Sequence, residues 1–331
     1  MPLIDILIFV LGLALLIGGA WVLISGGTRV AAVLGIPPVV VGLTVVAFGT
    51  SAPELFVSIL GAMEGSTGLV LGNVIGSNVA NLGLILAVAA LTRPVLVERG
   101  LSRNEVPFML GASVVFTVMV WDGSLSRLDS GILVVGFGVF MFWTFRNRDR
   151  GTVVPVPSDE PVLVPAERRT RELTVGSGLV LLGVAGLAGG GHFIVESAVR
   201  IAVSFGISET VVGLTMVAIG TSLPELATTI VAAMRDEDDL ALGNIVGSNL
   251  FNILAVAGPV GLFWELKVEG PQTPLAHIFL HPSANQLQLV CMVLLAIMVF
   301  AMIILGKGRI GRKRGFVLLL VYVLIMFIWT T

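Results

Sequence analysis

Apolar residues in this chain come in long, nearly unbroken blocks separated by short charged punctuation. An α-helix needs about 20 such residues to cross the hydrocarbon core of a bilayer. Read this way, the pattern predicts ten membrane spans, at roughly 3–24, 39–63, 68–91, 105–121, 129–145, 175–197, 211–234, 240–263, 287–306 and 315–330. One stretch breaks the pattern. From Arg146 to Glu172 charges are frequent, and Pro155, Pro157, Pro161 and Pro165 interrupt the chain. That composition predicts a solvated linker. The expected organisation is a first five-helix repeat over 1–145, a linker over 146–174 and a second five-helix repeat over 175–331.

Composition agrees with an all-α membrane protein. The chain is 56% hydrophobic and 12% charged, with a mean hydropathy of +1.03, against about 25% charged residues in soluble domains. The net charge of −2 comes without a basic or acidic tail, so nothing suggests nucleic acid as a partner. Cys291 is the single cysteine, which excludes a disulfide framework or a Cys-based metal site. The first apolar block is preceded by Asp5 and no Lys or Arg, so it reads as a retained helix and not a leader. If the N-terminus lies outside, sixteen of the nineteen Lys and Arg residues fall in inside connections, leaving Arg127, Arg200 and Lys267 outside. Such a bias orients the chain with both termini outside and the linker in the cytoplasm, in the cell membrane.

A repeat is the strongest feature. Residues 42–81 read GLTVVAFGTSAPELFVSILGAMEGSTGLVLGNVIGSNVAN, and 213–252 read GLTMVAIGTSLPELATTIVAAMRDEDDLALGNIVGSNLFN. The register is a constant 171 residues without a gap, and 22 of 40 positions are identical, Pro, Glu, Asn and Ser included. With an odd number of spans per half, the second copy enters the membrane upside down, an arrangement common in secondary transporters.

Each copy places an acid, Glu54 or Glu225, at mid-span. An ionisable residue there is expensive and marks a partner or a function. No Lys or Arg at helical spacing neutralises either one. A protonated glutamate in a helix–helix hydrogen bond is the alternative; a cation held between the two is the better account. Pro53 and Pro224 remove a backbone donor one residue before each acid and free the carbonyls of Gly49 and Gly220. Kinked or broken helices are expected, with free carbonyls tolerated only where they line a cavity or meet an ion. Thr50, Ser51, Thr221 and Ser222 lie four and three residues before their acids and share their faces. In the next helix, Asn73, Ser77 and Asn81, matched by Asn244, Ser248 and Asn252, form a polar stripe. Helix-to-helix bonding is the competing role for these amides; Asn78 and Asn249 lie off the stripe and read as structural. Carboxylates, hydroxyls, amides and carbonyls are hard ligands, suited to Ca2+, Mg2+, Mn2+ or Na+. Two carboxylates neutralise one divalent or two monovalent ions, a natural basis for exchange.

The paired motifs GTSxPE and GNxxGSNxxN, present in both halves, resemble the α-repeats of the Na+/Ca2+ exchanger family of the cation/Ca2+ antiporter superfamily. The resemblance implies a prokaryotic-type antiporter without a regulatory domain, exchanging Ca2+ for Na+ by alternating access. It implies Ca2+ at Glu54 and Glu225 with the main-chain carbonyls of Thr50 and Thr221. It implies Na+ at Ser51, Ser77, Ser222 and Ser248 with the carbonyls of Ala47 and Ala218. Asn81 and Asn252 stand where some members carry an Asp, which makes this site less anionic. In K+-dependent relatives the second of these positions is an Asp, so Asn252 argues against K+. The H+-coupled branch has a GNxxE pattern where this chain has GTSxPE.

H+/Ca2+ antiport is the alternative within transport, and a passive channel the alternative outside it. No HExxH or paired-Asp protease motif points to an enzyme. The transported ions are the ligands; no cofactor and no obligatory protein partner is implied beyond the bilayer. His192, Glu196 and Arg200, four apart, are expected to form an interfacial ion pair. The tryptophans are expected near span ends, and Asp236, Glu237, Asp238 and Asp239 in a solvated loop.

Overall fold

Inside a bilayer the backbone has no water to bond, so every N–H and C=O must be satisfied within the chain, and helices do this locally. The computed structural model describes residues 2–146, 166–204, 220–267 and 282–330. The helices are α1 (Pro2–Leu34), α2 (Pro38–Thr50), α3 (Ala52–Met63), α4 (Thr67–Thr92), α5 (Arg99–Arg103), α6 (Glu105–Met119) and α7 (Arg127–Arg146) in the first half. The second half holds α8 (Ala166–Ser204), α9 (Leu223–Met234), α10 (Asp238–Phe263), α11 (Pro282–Leu305) and α12 (Arg312–Thr330). Six of these are long and apolar enough to cross a membrane, or seven when α2 and α3, bent by 43° at Ser51, are counted as one span. Of the other expected spans, α6 has 15 residues and α12 has 19. Helix α9 covers the end of the seventh span, whose beginning lies outside the described residues.

Two boundaries differ from the sequence reading. Helix α1 runs to Leu34, ten residues beyond the expected 24. The small polar run after Ile24 does not end it, because Ser25 and Thr28 bond back to the carbonyls of Trp21 (2.7 Å) and Ile24 (3.0 Å). Trp21 therefore sits within the helix and not at its end, with the Arg235 guanidinium 4.8 Å over its ring. Helix α8 begins at Ala166, inside the stretch expected to be linker. Arg, Glu and Thr continue a helix beyond the apolar zone, where a search for apolar blocks cannot see it. There Glu172 pairs with Arg29 of α1 at 3.2 Å.

The molecule is built around α4 and α10, the helices that carry GNxxGSNxxN. Their apolar windows are 78% and 83% buried, against 22–39% for α1, α7, α8 and α11. The outer helices turn Leu181, Leu294 and Leu320 outward, as a lipid-facing wall requires. Helices α1 and α8 lie antiparallel in a seam without side chains between their backbones. Gly12, Gly19 and Gly26 meet Gly190, Gly183 and Gly176. A Cβ on Gly183 would lie 2.5 Å from Leu23 N, and one on Gly190 2.6 Å from Leu16 N. Small residues permit such close approach in membranes.

Among the described residues, four two-residue strands tie the connections. β1 (Val95–Leu96) pairs antiparallel with β4 (Arg309–Ile310), and β2 (Ser124–Leu125) with β3 (Leu266–Lys267). The pairs join loops expected on a common face: 93–103 meets 307–314, and the Arg127 loop meets Lys267. Arg200 also reaches Asp5 at 2.6 Å, and Arg93 pairs with Asp236, each within one expected face.

Candidate functional site

The two GTSxPE segments fold alike for the reason their sequence suggests. Pro53 and Pro224 occupy the first turns of α3 and α9, where a missing N–H is no loss. The residue before each helix leaves α geometry: Ser51 has φ −83°, ψ 6° and Ser222 has φ −88°, ψ 1°. Each break lies one turn from its glutamate. The carbonyl of Ala47 accepts the Ser51 N–H at 2.9 Å, which closes the end of α2.

Both acids are 1% exposed. Thr50, Ser51, Ser77, Asn81, Thr221, Ser222, Ser248 and Asn252 are buried with them, as is Ala47. Ala218 lies outside the described residues. The halves interlock here. Ser51 Oγ donates to Glu225 Oε1 at 3.0 Å, and Thr50 Oγ1 donates to Asn244 Oδ1 at 3.1 Å, with Ser248 Oγ at 3.4 Å. The two carboxylates are within electrostatic reach of one another.

Most of the remaining polar atoms here have no protein partner. Both carboxylate oxygens of Glu54, Oε2 of Glu225, the hydroxyls of Thr221 and Ser222, and the whole amides of Asn81 and Asn252 are buried without a hydrogen bond. Buried polar groups are normally satisfied, and each exception asks for an explanation. Here the exceptions come from both halves, gather around two acids and are oxygen-rich. Among the described residues no group of three His, Cys, Asp or Glu could hold a metal ion. Whatever satisfies these atoms meets two carboxylates supplemented by hydroxyls, amides and carbonyls.

Ser58 and Thr229 were not expected at this site. They lie four residues after the acids, and their hydroxyls accept from Asn73 Nδ2 and Asn244 Nδ2, each at 3.1 Å. Their spacing from Glu54 and Glu225 carried the signal, since i+4 shares a helix face. The stripe of amides therefore divides: Asn73 and Asn244 are tied to neighbouring helices, while Asn81 and Asn252 are not. Asn78 and Asn249 bond to Val74 O and Ile245 O, both at 2.7 Å, a local structural role as expected.

Among the described residues, π-helical turns flank the site at Gly42–Val46, Asn81–Ile85 and Phe251–Ala257. Such bulges collect at functional sites. Two of them begin at or beside Asn81 and Asn252.

Away from the site, Glu196 accepts from Arg200 at 2.7 Å and lies 3.6 Å from His192, the interfacial cluster expected, with Asp5 added from α1. In the acidic run Asp236 is exposed as expected, while Glu237, Asp238 and Asp239 are half-buried. Asp236 pairs with Arg93, and Asp238 Oδ2 accepts the Leu96 N–H at 3.3 Å, because the β1 loop folds over it.

With this geometry in view, the chain was compared with known proteins. The sodium/calcium exchanger protein family matches residues 4–146 and 175–331. The chain is 39% identical to a putative antiporter, CaxA, of Alkalimonas amylolytica, over 76% of this chain and 78% of that one. It is 32% identical to the sodium/calcium exchanger MaX1 of Methanosarcina acetivorans, over 97% of both. Among solved structures, the sodium-calcium exchanger NCX_Mj soaked with 10 mM Na+ and zero Ca2+ superposes with a TM-score of 0.82 at 28% identity, covering 99% of both chains.

Proposed function

Since this chain belongs to the sodium/calcium exchanger family, we propose that it is a secondary active antiporter that exchanges Ca2+ for Na+ by alternating access. The observation that carries this reading is the set of partnerless oxygens around Glu54 and Glu225, contributed by two copies of one motif in opposite orientation. In this reading Ca2+ takes the two carboxylates with the main-chain carbonyls of Thr50 and Thr221. Na+ takes the hydroxyls of Ser51, Ser77, Ser222 and Ser248 with the carbonyls of Ala47 and Ala218. Asn81 and Asn252 line the same cavity as neutral ligands. The names of MaX1 and NCX_Mj as sodium/calcium exchangers support the choice of ions.

The physical logic is charge balance. Two carboxylates in a low-dielectric interior are costly when bare and are relieved by one Ca2+ or by two Na+. Neither ion set fits well with the other, so loading one expels the other. Two broken helices related by inverted symmetry let the site face either side in turn. The protein lies in the cell membrane with both termini outside and the linker cytoplasmic, as the Lys and Arg distribution argues. Purified protein in Na+-loaded proteoliposomes is expected to take up Ca2+ when external Na+ is removed. Uptake driven by a pH gradient without Na+ would replace this reading with H+ coupling. Flux that never runs uphill would replace it with a channel.

A further inference from the structure

The two halves of the site share one sequence but not one hydrogen-bond pattern. Two amide bonds within each half correspond: Asn73 to Ser58 matches Asn244 to Thr229, and Asn78 to Val74 matches Asn249 to Ile245. The bonds between the halves do not. The break of the first repeat reaches the second through Thr50 to Asn244, Thr50 to Ser248 and Ser51 to Glu225. The images of these bonds under the 171-residue repeat would run from Thr221 to Asn73 and Ser77, and from Ser222 to Glu54. None of them forms: the hydroxyls of Thr221 and Ser222 and both carboxylate oxygens of Glu54 have no hydrogen-bond partner, although Thr221 lies close enough to act on the Glu54 carboxylate, as Thr50 does on Glu225. Asn73 Nδ2 turns instead to the carbonyl of Glu54 at 3.2 Å. Asn244 is fully buried, while Asn73 is half-buried.

We propose that Asn244 and Asn73 are alternating latches, positioning residues that hold Thr50 in one access state and Thr221 in the other. The inference rests on the exchange reading and deepens it. Asparagine suits the task because it has donors and an acceptor on one short side chain. Its amide N–H is tied to a hydroxyl of its own repeat, Thr229 or Ser58, which aims the amide oxygen at the opposite repeat's break. Close packing holds the aim: a Cβ on Gly243 would lie 2.7 Å from Val39 O, and one on Gly247 2.8 Å from Leu43 O. These two glycines, one before Asn244 and one three residues after it, bring α10 directly onto the α2 backbone.

The latch also reaches a proposed ion ligand. Thr50 has one hydroxyl proton, and its nearest acceptors are Asn244 Oδ1 at 3.1 Å and its own helix's Ala47 carbonyl at 3.3 Å, with Ser248 Oγ at 3.4 Å. With the latch made, the proton goes to Asn244, and the Ala47 carbonyl keeps a lone pair for a cation. With the latch broken, the hydroxyl falls back on Ala47. Each amide therefore couples the closure of one side to the ligand field on that side. A protein whose two states differ by one such contact on each side responds oppositely to the loss of each.

The test is apparent Ca2+ affinity measured separately at the two faces, in right-side-out and inside-out vesicles, for Asn244→Leu and Asn73→Leu. Removing one latch is expected to shift the balance of states by about three- to tenfold, the range of a single hydrogen bond. Affinity then rises at one face and falls at the other for Asn244→Leu, and moves in the reverse sense for Asn73→Leu. Thr229→Val and Ser58→Ala leave the amides in place but untether them. They are expected to follow the same two directions by less, and they carry the test if the leucine variants do not fold. Equal changes at both faces, a loss of maximal rate alone, or the same direction for both members of a pair would overturn the latch. Such results leave exchange itself intact; absence of Na+-dependent uptake by the unmodified protein would instead remove the reading on which the latch rests.

Discussion

At the scale of single residues the account depends on carboxylates that cannot be replaced by their amides. Glu54 and Glu225 are 1% exposed, and among the described residues no basic side chain is in hydrogen-bond contact with either. Breaking a buried ionic arrangement by removing one partner costs about 3–5 kcal/mol, or more than about a hundredfold in affinity. Glu54→Gln and Glu225→Gln are therefore each expected to reduce radiolabelled Ca2+ uptake to background. Glu64→Gln and Glu196→Gln, outside the site, are expected to retain most of it. Near-normal uptake by either of the first pair would remove that acid from the site. Asn81→Asp and Asn252→Asp are expected to fold, because neither amide makes a hydrogen bond that the change would break and, in the proposed reading, each meets a cation that offsets the added charge. Each adds negative charge and should shift the Ca2+/Na+ preference measured by competition; an unchanged preference would place these residues away from the ions. That Glu54, Glu225 and the hydroxyls and amides beside them belong together in the interior was legible in the sequence because the repeat prints them twice. Ser58 and Thr229 were passed over because a hydroxyl in an apolar helix usually bonds its own backbone.

At the scale of elements the structure adds what periodicity does not encode. The break at Ser51 follows from Pro53, so it was readable; its bend of 43° was not. The π-helical turns at Asn81–Ile85 and Phe251–Ala257 had no sequence signal, since one extra residue in a turn changes neither composition nor length. The extension of α1 to Leu34 escaped for a related reason: Ser25, Gly26, Gly27 and Thr28 look like a loop, and become helix because Gly26 packs directly on Gly176. That seam makes its own prediction. Gly183→Leu places a Cβ where Leu23 N already lies 2.5 Å away, and overpacking of this kind costs about 1–3 kcal/mol or more. A lower thermal midpoint, or loss of a monodisperse preparation, is expected. Gly178→Leu, whose Cβ would meet nothing within 4 Å, is expected to behave as the unmodified protein. Equal behaviour of the two would show that the α1–α8 seam does not hold the bundle together.

At the scale of the whole molecule, ten blocks and an odd number of spans per half led directly to an inverted repeat. The strand pairs and ion pairs across the loops agree with that alternation: 93–103 with 307–314, Arg127 with Lys267, Asp5 with Arg200. The sequence could not reveal that the amides bond alike within each half while the contacts between halves differ, because matched residues have matched options. Only packing decides which option is taken. The central claim is that both halves build a single site, which Ca2+ and Na+ occupy in turn. Equilibrium Ca2+ binding to the purified protein, titrated with and without Na+, tests it most directly. The account expects one Ca2+ per chain, displaced competitively as Na+ rises. Two independent Ca2+ sites, or binding indifferent to Na+, would contradict it.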